Sequence, residues 1–403
     1  MLIVQKYGGT SMGDCERIEN VANRVIDALN SYNNPQLVVV VSAMSGQTDM
    51  LINYTKYFTP LPKLREVDMA LSAGERVSAA LLAIALESKG YKAISLSGQM
   101  AGILTDSTHT KARIESIDST YTRSLLEQGY IVVVAGFQGV DKNGEITTLG
   151  RGGSDLSAVA LAGAMKADLC EIYTDVDGVY TTDPRIEKNA KKIDKISYDE
   201  MLELASMGAK VLLNRSVELA KKWGVTLVTR SSFTQKEGTL ITTEENIMEQ
   251  PIVSGIALDK NQARVSIADV RDRPGIAAEI FGALASGNIN VDMIVQTIGR
   301  DGKTDIDFTI PLTDVEQTKV VLQPFEVDVE SIDYDCNIAK VSIVGVGMKS
   351  HSGVASVAFK ALANENINIM MISTSEIKVS MVINLKSAET AVRALHNAYE
   401  LDK

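Results

Sequence analysis

A glycine-rich segment near the middle of the chain carries residue types that bind anions. Residues 147–168 read TTLGRGGSDLSAVALAGAMKAD, in which a short β-prone stretch meets glycines and then an apolar run of about three helical turns. Glycines let backbone N–H groups approach a ligand, and a helix start carries partial positive charge. Arg151 adds a guanidinium fork suited to a carboxylate or phosphate. The alternative is an ordinary tight turn in which Ser154 or Asp155 caps the helix.

The amino terminus has a similar arrangement. Residues 2–7, LIVQKY, predict a buried strand, GGTSMGD follows, and a helical pattern extends through Leu29. Lys6 comes just before the glycines, so it is either a phosphate contact or a solvated strand end. The segment is not a P-loop, because GxxxxGK[ST] is absent from the chain.

More candidate ligand contacts follow a second buried strand, Leu37–Val41. Ligands gather at the carboxyl ends of parallel strands, so Ser42 and Thr48 could contact one; the alternative is a turn or cap role. Residues 51–65 contain two prolines and predict a loop-rich excursion. Helical spacing resumes from Glu66 to Lys89 and is interrupted at Gly74-Glu75, where the glutamate is expected on the solvated face.

The elements that position these residues predict an α/β fold. Apolar strands recur with helical stretches between them, at Ala93–Leu96, Ile131–Ala135, Leu169–Thr174 and Thr226–Thr229. This alternation is typical of a parallel sheet covered by helices on both faces. An acidic turn follows the strand that ends at Thr174 and could hold Mg²⁺ through phosphate oxygens or bind a ribose; an ordinary polar loop is the alternative.

Composition narrows the class of protein. The chain has 403 residues, enough for two or three domains, and a net charge of −11, which argues against nucleic acid or anionic membranes as main partners. Three scattered cysteines and three distant histidines predict neither disulfides nor a metal site of the protein's own. The amino terminus lacks signal-peptide character, and no apolar run is expected to approach the ~18 residues of a membrane span. We therefore expect a cytoplasmic protein.

An internal repeat occupies the carboxyl-terminal part. The helical and strand pattern breaks around Thr243–Pro251; beyond it, ARVSI at 263–267 returns as AKVSI at 339–343, and NINV at 288–291 returns as NINI at 366–369. Each copy predicts a strand, a glycine loop, an amphipathic helix and a strand, and two units this small should pack together. We expect a catalytic domain at 1–245, a linker at 246–262, and repeat units at 263–335 and 336–403.

The motifs resemble those of aspartokinases, in order and over essentially the whole chain. They are KYGGTS, SAM, SAGERVS, AGFQG, TTLGRGGSD and YTDVDGVYTTDPR, and the carboxyl-terminal repeat resembles the family's tandem ACT regulatory domains. The resemblance implies an amino-acid kinase fold, with a largely parallel sheet, followed by two ferredoxin-like α+β ACT units. It also implies a monofunctional enzyme, since no homoserine dehydrogenase segment follows, that transfers the ATP γ-phosphoryl group to the side-chain carboxylate of aspartate.

The same resemblance assigns roles to individual residues. Lys6 would stabilise the transferring phosphoryl group, and Asp155 would help to orient the reaction. Aspartate would be bound by Thr48, Glu75, Arg151 and Ser154, with Arg151 on the α-carboxylate and Glu75 on the α-ammonium group. ATP, which carries Mg²⁺ with it, would be contacted by Lys6, Tyr7, Gly8, Gly9, Ser42, Thr174, Asp175, Tyr180, Asp183, Arg185 and Lys210.

The resemblance also implies a homo-oligomer with effector sites between ACT units, and inhibition by lysine, threonine or both. The expected effector contacts are Asp272, Gly275, Ile276, Ala277, Val291, Asp292 and Gln296 in the first repeat, and Val354, Asn368 and Ile369 in the second. Pro274 in the first repeat corresponds to Ser352 in the second, so the two sites are not expected to be equivalent. Two alternatives stay open: another amino-acid kinase, and a catalytically silent amino-acid sensor.

Overall fold

The computed structural model describes residues 1–32, 35–206, 212–247, 251–298, 302–327 and 329–403, and the chain divides into two compact units. The first unit contains Met1–Val179, Lys192–Ala205 and residues 212–247. The second contains Tyr180–Lys191 and residues 251–403. Short connections join most elements in both units.

Two sheets and seven helices make up the described part of the first unit. Its strands are β1 (Leu2–Tyr7), β2 (Gln36–Val41), β3 (Ala93–Leu96), β4 (Ile103–Thr105), β5 (Ile114–Ile117), β6 (Ile131–Ala135), β7 (Gln138–Val140), β8 (Ile146–Thr148), β9 (Leu169–Thr174), β10 (Lys195–Ser197), β11 (Leu227–Ser231) and β12 (Thr239–Thr242). Its helices are α1 (Cys15–Ser31), α2 (Gln47–Phe58), α3 (Leu64–Ser88), α4 (Thr120–Glu127), α5 (Gly153–Met165), α6 (Tyr198–Ser206) and α7 (Asn214–Trp223).

The large sheet confirms the predicted α/β class. Its strand order is β10-β12-β11-β9-β1-β2-β6-β3, and all of its pairs are parallel except β11 with β12. The central strands are buried, because their valine and isoleucine side chains pack against helices on both faces. β1 lies between β2 and β9, so the residues that follow these three strands meet at one edge of the sheet. Strand β8 belongs instead to a small sheet with the order β5-β4-β7-β8.

Three local predictions were wrong. Residues 51–58 belong to helix α2, and the proline-containing stretch is only the short connection to α3. Helix α3 continues through Gly74 without interruption, and a Cβ at Gly74 would lie 2.8 Å from the Cβ of Ala43. The glycine therefore allows close packing, and its neighbour Glu75 is buried rather than solvated. Neither Ser154 nor Asp155 caps α5, since Gly152 is the N-cap residue.

Helix α3 has the length and apolar composition of a membrane span, although Glu75 and Arg76 interrupt its apolar run. Half of its most apolar window is buried inside the protein. Leu82 and Leu86 lie on the buried face of α3 and pack in the same core as residues of β2 and β6. Core packing accounts for the apolar character of this buried face.

Two four-stranded antiparallel sheets form the second unit. The strands are β13 (Gly255–Asp259), β14 (Gln262–Arg271), β15 (Ile294–Ile298), β16 (Lys303–Pro311), β17 (Ser331–Asp335), β18 (Ile338–Val344), β19 (Ile369–Thr374) and β20 (Lys378–Asn384). The helices are α8 (Ile276–Ser286), α9 (Val315–Leu322), α10 (Val354–Asn364) and α11 (Ala388–Ala398). The strand orders are β15-β16-β14-β17 and β13-β18-β20-β19. Each sheet packs its helices against a separate core.

The repeat is visible in the backbone. Asn288 and Asn366, at equivalent positions of the NINV and NINI motifs, both have φ of 55°, a left-handed conformation that asparagine tolerates well. These residues end the helix-to-strand turn, so β15 begins only at Ile294 and the prediction of a strand over NINV was wrong. β13 lies inside the predicted linker, where it pairs with β18 and completes the sheet of the second repeat.

Candidate active site

A cavity of about 400 Å³ opens at the carboxyl edge of the large sheet. It is bordered by the end of β1, the loop after β2, helix α3 and the turn that leads into α5. Eight residues singled out from the sequence line it: Lys6, Gly9, Ser42, Thr48, Glu75, Arg151, Ser154 and Asp155. The fold therefore brings together segments that are up to about 150 residues apart in the chain, as expected for a site at strand ends.

Lys6 and Asp155 form an ion pair in this cavity. The Lys6 Nζ lies 2.5 Å from Oδ1 of Asp155, and both side chains are almost nine-tenths buried. Gln5 and Tyr7 point to the opposite face of the sheet, since side chains alternate along a strand. Gly8 leaves space beside the ammonium group, because a Cβ there would lie 3.2 Å from Nζ. A buried pair open to a cavity places a cation where an anionic group can reach it.

Glu75 places a carboxylate on the wall formed by α3. The Ala43 N–H donates to Oε1 over 3.2 Å, whereas Oε2 is buried and has no hydrogen-bond partner among the described residues. Burial raises the pKa of Glu75 to about 7, and the Ala43 N–H only partly opposes this shift. A buried carboxylate oxygen without a partner is suited to an ammonium group.

The turn into α5 presents Arg151 at the edge of the cavity. Gly150 and Gly152 have φ of 77° and 70°, which allows the chain to reverse around Arg151. The Arg151 side chain is exposed and makes no hydrogen bond or ion pair within the part of the chain that the structure describes. Ser154 follows in the first helical turn, and Gly136 leaves room for it, because a Cβ at Gly136 would lie 2.9 Å from the Cβ of Ser154.

The predicted nucleotide contacts are dispersed. Thr174 ends β9 and Asp175 follows it at the same sheet edge, but neither lines the cavity. The Tyr7 side chain is fully buried and stacks on Tyr173, with ring centroids 4.5 Å apart, so only its backbone is available to a nucleotide. Lys210 lies outside the described residues.

Tyr180, Asp183 and Arg185 belong to the second unit. In this segment Asp183 and Arg185 pair with each other, with 2.7 Å between Oδ2 and Nη2, and the Ile256 N–H donates to the carbonyl of Thr181 over 2.7 Å. Their contact with a nucleotide stays a prediction.

The acidic turn after β9 does not form a cluster of ligands. Asp177 accepts hydrogen bonds from Thr234 and Lys236, and Asp175 accepts one from Thr174. Among the described residues, no group of three histidine, cysteine or acidic side chains is arranged to hold a metal ion. The interpretation of this turn as a Mg²⁺ site has no support from these contacts.

The sequence prediction missed other residues of the cavity. They are Thr10, Ala43, Met44, Ser45, Gly46 and Phe137, whereas Gly152 and Gly153 were predicted as part of the glycine-rich turn. Most of them flank predicted residues in the same loops. The signal that could have found them is their position just beyond a buried strand, which applies equally to Ser45 and Ser42.

The residues predicted to bind an effector lie at two corresponding places in the second unit. Gly275 and Gly353, with φ of 98° and 90°, are the N-cap residues of α8 and α10, and Ile276 and Val354 begin these helices. Asp272 and Ala277 flank the first of them, and Val291, Gln296, Asn368 and Ile369 lie in or near β15 and β19. Asp292 is paired with the ammonium group of Lys340 on β18.

Comparison with known proteins identifies the chain. Residues 1–229 match the amino acid kinase family, and residues 263–327 and 341–399 each match the ACT domain. The aspartokinase of Helicobacter pylori strain J99 is 70% identical over 407 residues that cover 100% of both chains. The aspartate kinase of Pseudomonas putida is 54% identical and covers 100% of this chain and 98% of its own length.

The chain belongs to the aspartokinase family. The resemblance found in the motifs is thus confirmed, and the enzyme is an aspartate kinase. The structure of E. coli aspartokinase III in complex with aspartate and ADP, described as its R-state, superposes with a TM-score of 0.81 at 26% identity and covers 99% of each chain. The complex of the same protein with lysine and aspartate, described as its T-state, has a TM-score of 0.78 at 26% identity and covers 98% of this chain and 99% of its own.

Proposed function

We propose that the enzyme transfers the γ-phosphoryl group of ATP to the side-chain carboxylate of L-aspartate and produces 4-phospho-L-aspartate. The observation that supports this reaction is the arrangement of charge around one cavity: Lys6 with Asp155, the carboxylate of Glu75 and the guanidinium of Arg151. A carboxylate oxygen of aspartate would attack the γ-phosphorus, while the bond from that phosphorus to the bridging oxygen of ADP breaks. An aspartate side chain is already ionised at neutral pH, since its ordinary pKa is near 3.9, so no general base is required.

Each charged residue then has a distinct task. Lys6 offsets the repulsion between the two anions and the charge on the transferring group, with Asp155 holding the ammonium group in place. Arg151 and Glu75 bind the α-carboxylate and the α-ammonium group, which do not react. Thr48 and Ser154 supply further polar contacts, and Gly8, Gly9 and Ser42 approach the phosphates. Alignment of two substrates in this way accounts for much of the rate enhancement in phosphoryl transfer.

ATP would bind beside the proposed aspartate contacts. Gly8 places no side chain beside the ammonium group of Lys6, and we propose that a phosphate oxygen binds there. Mg²⁺ would be held chiefly by ATP itself, and it would neutralise charge on the β- and γ-phosphates. We propose that the rest of ATP is contacted by Thr174, Asp175, Tyr180, Asp183, Arg185 and Lys210.

An ATP-dependent hydroxamate assay tests the reaction. Hydroxylamine traps an acyl phosphate, so aspartate with ATP and Mg²⁺ should yield aspartyl hydroxamate, and omission of ATP should abolish it. Glutamate and N-acetylglutamate serve as substrate controls. Equal or faster product formation with either of them would favour another amino-acid kinase, and no product with any substrate would favour a silent amino-acid sensor.

We also propose that this cytoplasmic enzyme begins the pathway to lysine, threonine, methionine and diaminopimelate, and that end-product amino acids inhibit it through the ACT domains. The support is the pair of ACT repeats with glycine-capped helices at corresponding positions. Effectors would shift a conformational equilibrium, and the ACT domains would join chains into a homo-oligomer. Initial rates of the full-length enzyme with lysine and threonine, singly and together, test the inhibition, and sedimentation tests the oligomer. No inhibition by millimolar lysine and threonine, singly or together, would contradict regulation through the ACT domains.

A further inference from the structure

Helix α3 carries a second buried carboxylate, Asp68, on the same face as Glu75. The two residues are seven positions apart, which is about two helical turns. Glu75 faces the cavity, whereas Asp68 is fully buried and lies under the strand that leads to Arg151. One helix therefore carries a carboxylate that lines the cavity and another beside the strand that leads to Arg151.

Both carboxylate oxygens of Asp68 accept hydrogen bonds. The Thr110 N–H donates to both of its oxygens, at 3.0 and 3.1 Å, and the Thr148 hydroxyl donates to Oδ1 over 2.5 Å. The Nδ1 of His109 lies 2.7 Å from Oδ2. Thr110 has φ of 67°, unusual for threonine, and its carbonyl packs 3.1 Å from where a Cβ of Gly150 would be. The carboxylate thus fixes a loop that contacts the turn before Arg151.

Thr148 connects Asp68 to the turn directly. It is the last residue of β8, and Leu149 and Gly150 separate it from Arg151. On the other side, the Arg215 guanidinium donates to the carbonyl of Leu149 over 2.9 Å and to that of Ala112 over 3.3 Å. The backbone just before Arg151 is therefore held by a carboxylate on one side and by a guanidinium on the other.

The Arg151 side chain has no partner of its own within the described residues, so its location depends on this backbone. We propose that Asp68 is a positioning residue that, through Thr148, sets the place of Arg151 relative to Glu75 and thereby the fit of aspartate. This inference rests on the proposed role of Arg151. The α-carboxylate and α-ammonium group of aspartate share one carbon, so a displacement of Arg151 by about 1 Å would weaken their simultaneous binding.

Thr148→Val tests the proposal, because it removes the hydroxyl and keeps the shape of the side chain. We expect the KM for aspartate to rise about tenfold, while the KM for ATP stays within about twofold and kcat within about threefold. Thr148→Ser restores a hydroxyl and should restore most of the affinity. Thr147→Val is the matched control: Thr147 is equally buried on β8, but its hydroxyl bonds Thr105 rather than Asp68. It should leave the KM for aspartate within about twofold.

A double variant shows whether the effect passes through Arg151. Arg151→Lys alone should raise the KM for aspartate, and adding Thr148→Val should change it by less than about twofold further, because coupled residues are not additive. Equal effects of Thr148→Val and Thr147→Val, or a parallel rise of both KM values, would overturn the positioning role alone. An unchanged KM for aspartate in Arg151→Lys would overturn the proposed role of Arg151 and this inference with it.

Discussion

A buried lysine pairs with an aspartate in each unit, but the surroundings of the two pairs differ. The Lys6–Asp155 pair shares its cavity with Oε2 of Glu75, which has no hydrogen-bond partner in the described part of the chain. In the second unit, the Lys340 side chain is only 5% exposed and pairs with Asp292, whose side chain is 43% exposed. Apolar residues including Met293 and Ile338 pack nearby. The cavity that contains the first pair also contains the Glu75 carboxylate. In the second pair, the two charges neutralise each other.

This difference indicates which charged groups each site has available to bind a ligand. Buried charge without a partner costs stability, and it persists where a ligand is to provide the missing partner. Asp292 is one of the predicted effector contacts, and its carboxylate already holds the ammonium group of Lys340. An effector that uses Asp292 must therefore replace Lys340 or share the carboxylate with it.

Replacing each of the two lysines with methionine should give the largest difference in kcat between the two pairs. Lys6→Met should lower kcat by about two to three orders of magnitude, the scale of losing one electrostatic stabiliser of a transition state. Lys340→Met, which keeps a similar chain length, should leave the uninhibited kcat within about twofold. Steady-state rates at saturating ATP and aspartate provide the measurement.

Unfolding midpoints provide the control, because removing one partner of a buried pair also destabilises a protein. Lys6→Met combined with Asp155→Asn should recover much of any lost stability but none of the lost kcat. If Lys6→Met kept more than about a third of the wild-type kcat, Lys6 would not act on the transferring group.

The second prediction concerns inhibition by amino acids. If Asp292 receives the effector ammonium group, Asp292→Ala should raise the inhibitory concentration of lysine or threonine more than about tenfold. Lys340→Met should keep or strengthen inhibition, because it frees the carboxylate. Inhibition curves for both variants distinguish this from a purely structural pair, for which the two substitutions would weaken inhibition alike.

The third prediction concerns the pH dependence of activity, which should reflect ionisation of the Glu75 carboxylate. The pKa of Glu75 is raised to about 7 by burial, so the ionised fraction that can bind an ammonium group falls as the pH drops below that value. We expect kcat/KM for aspartate to fall about tenfold from pH 8 to pH 6. Glu75→Gln should lower kcat/KM at pH 8 and flatten this profile. An unchanged acid limb in Glu75→Gln would assign it to another group.

Much of the fold follows from local sequence. Continuous apolar runs such as Leu37–Val41 predicted buried parallel strands correctly, because a strand covered on both faces needs apolar residues throughout. Helix α2 was missed because its exposed aromatic side chains and nearby prolines hide the helical period. Gly74 was interpreted as a helix break, whereas its role is close packing against Ala43, which no local pattern reveals.

The candidate site shows the same limit. The charged residues of the cavity could be singled out by resemblance to a family, and the fold brings them together. The burial of Glu75 and the contacts of Asp68 with partners 41, 42 and 80 residues away depend on tertiary packing. The pairing of Asp292 with Lys340 is likewise a contact between two repeats, 48 residues apart in the chain. Periodicity within one element carries no information on such contacts.

The place of β13 has a consequence for synthesis and folding. This strand emerges from the ribosome before the whole first repeat, yet its hydrogen-bond partner β18 belongs to the second repeat. The first repeat thus lies in a loop between the two strands, and the second sheet is complete only when that loop has closed. A fragment that begins at residue 263 would leave β18, seven buried residues long, as a bare edge open to other chains. The shortest stable regulatory fragment begins before Gly255.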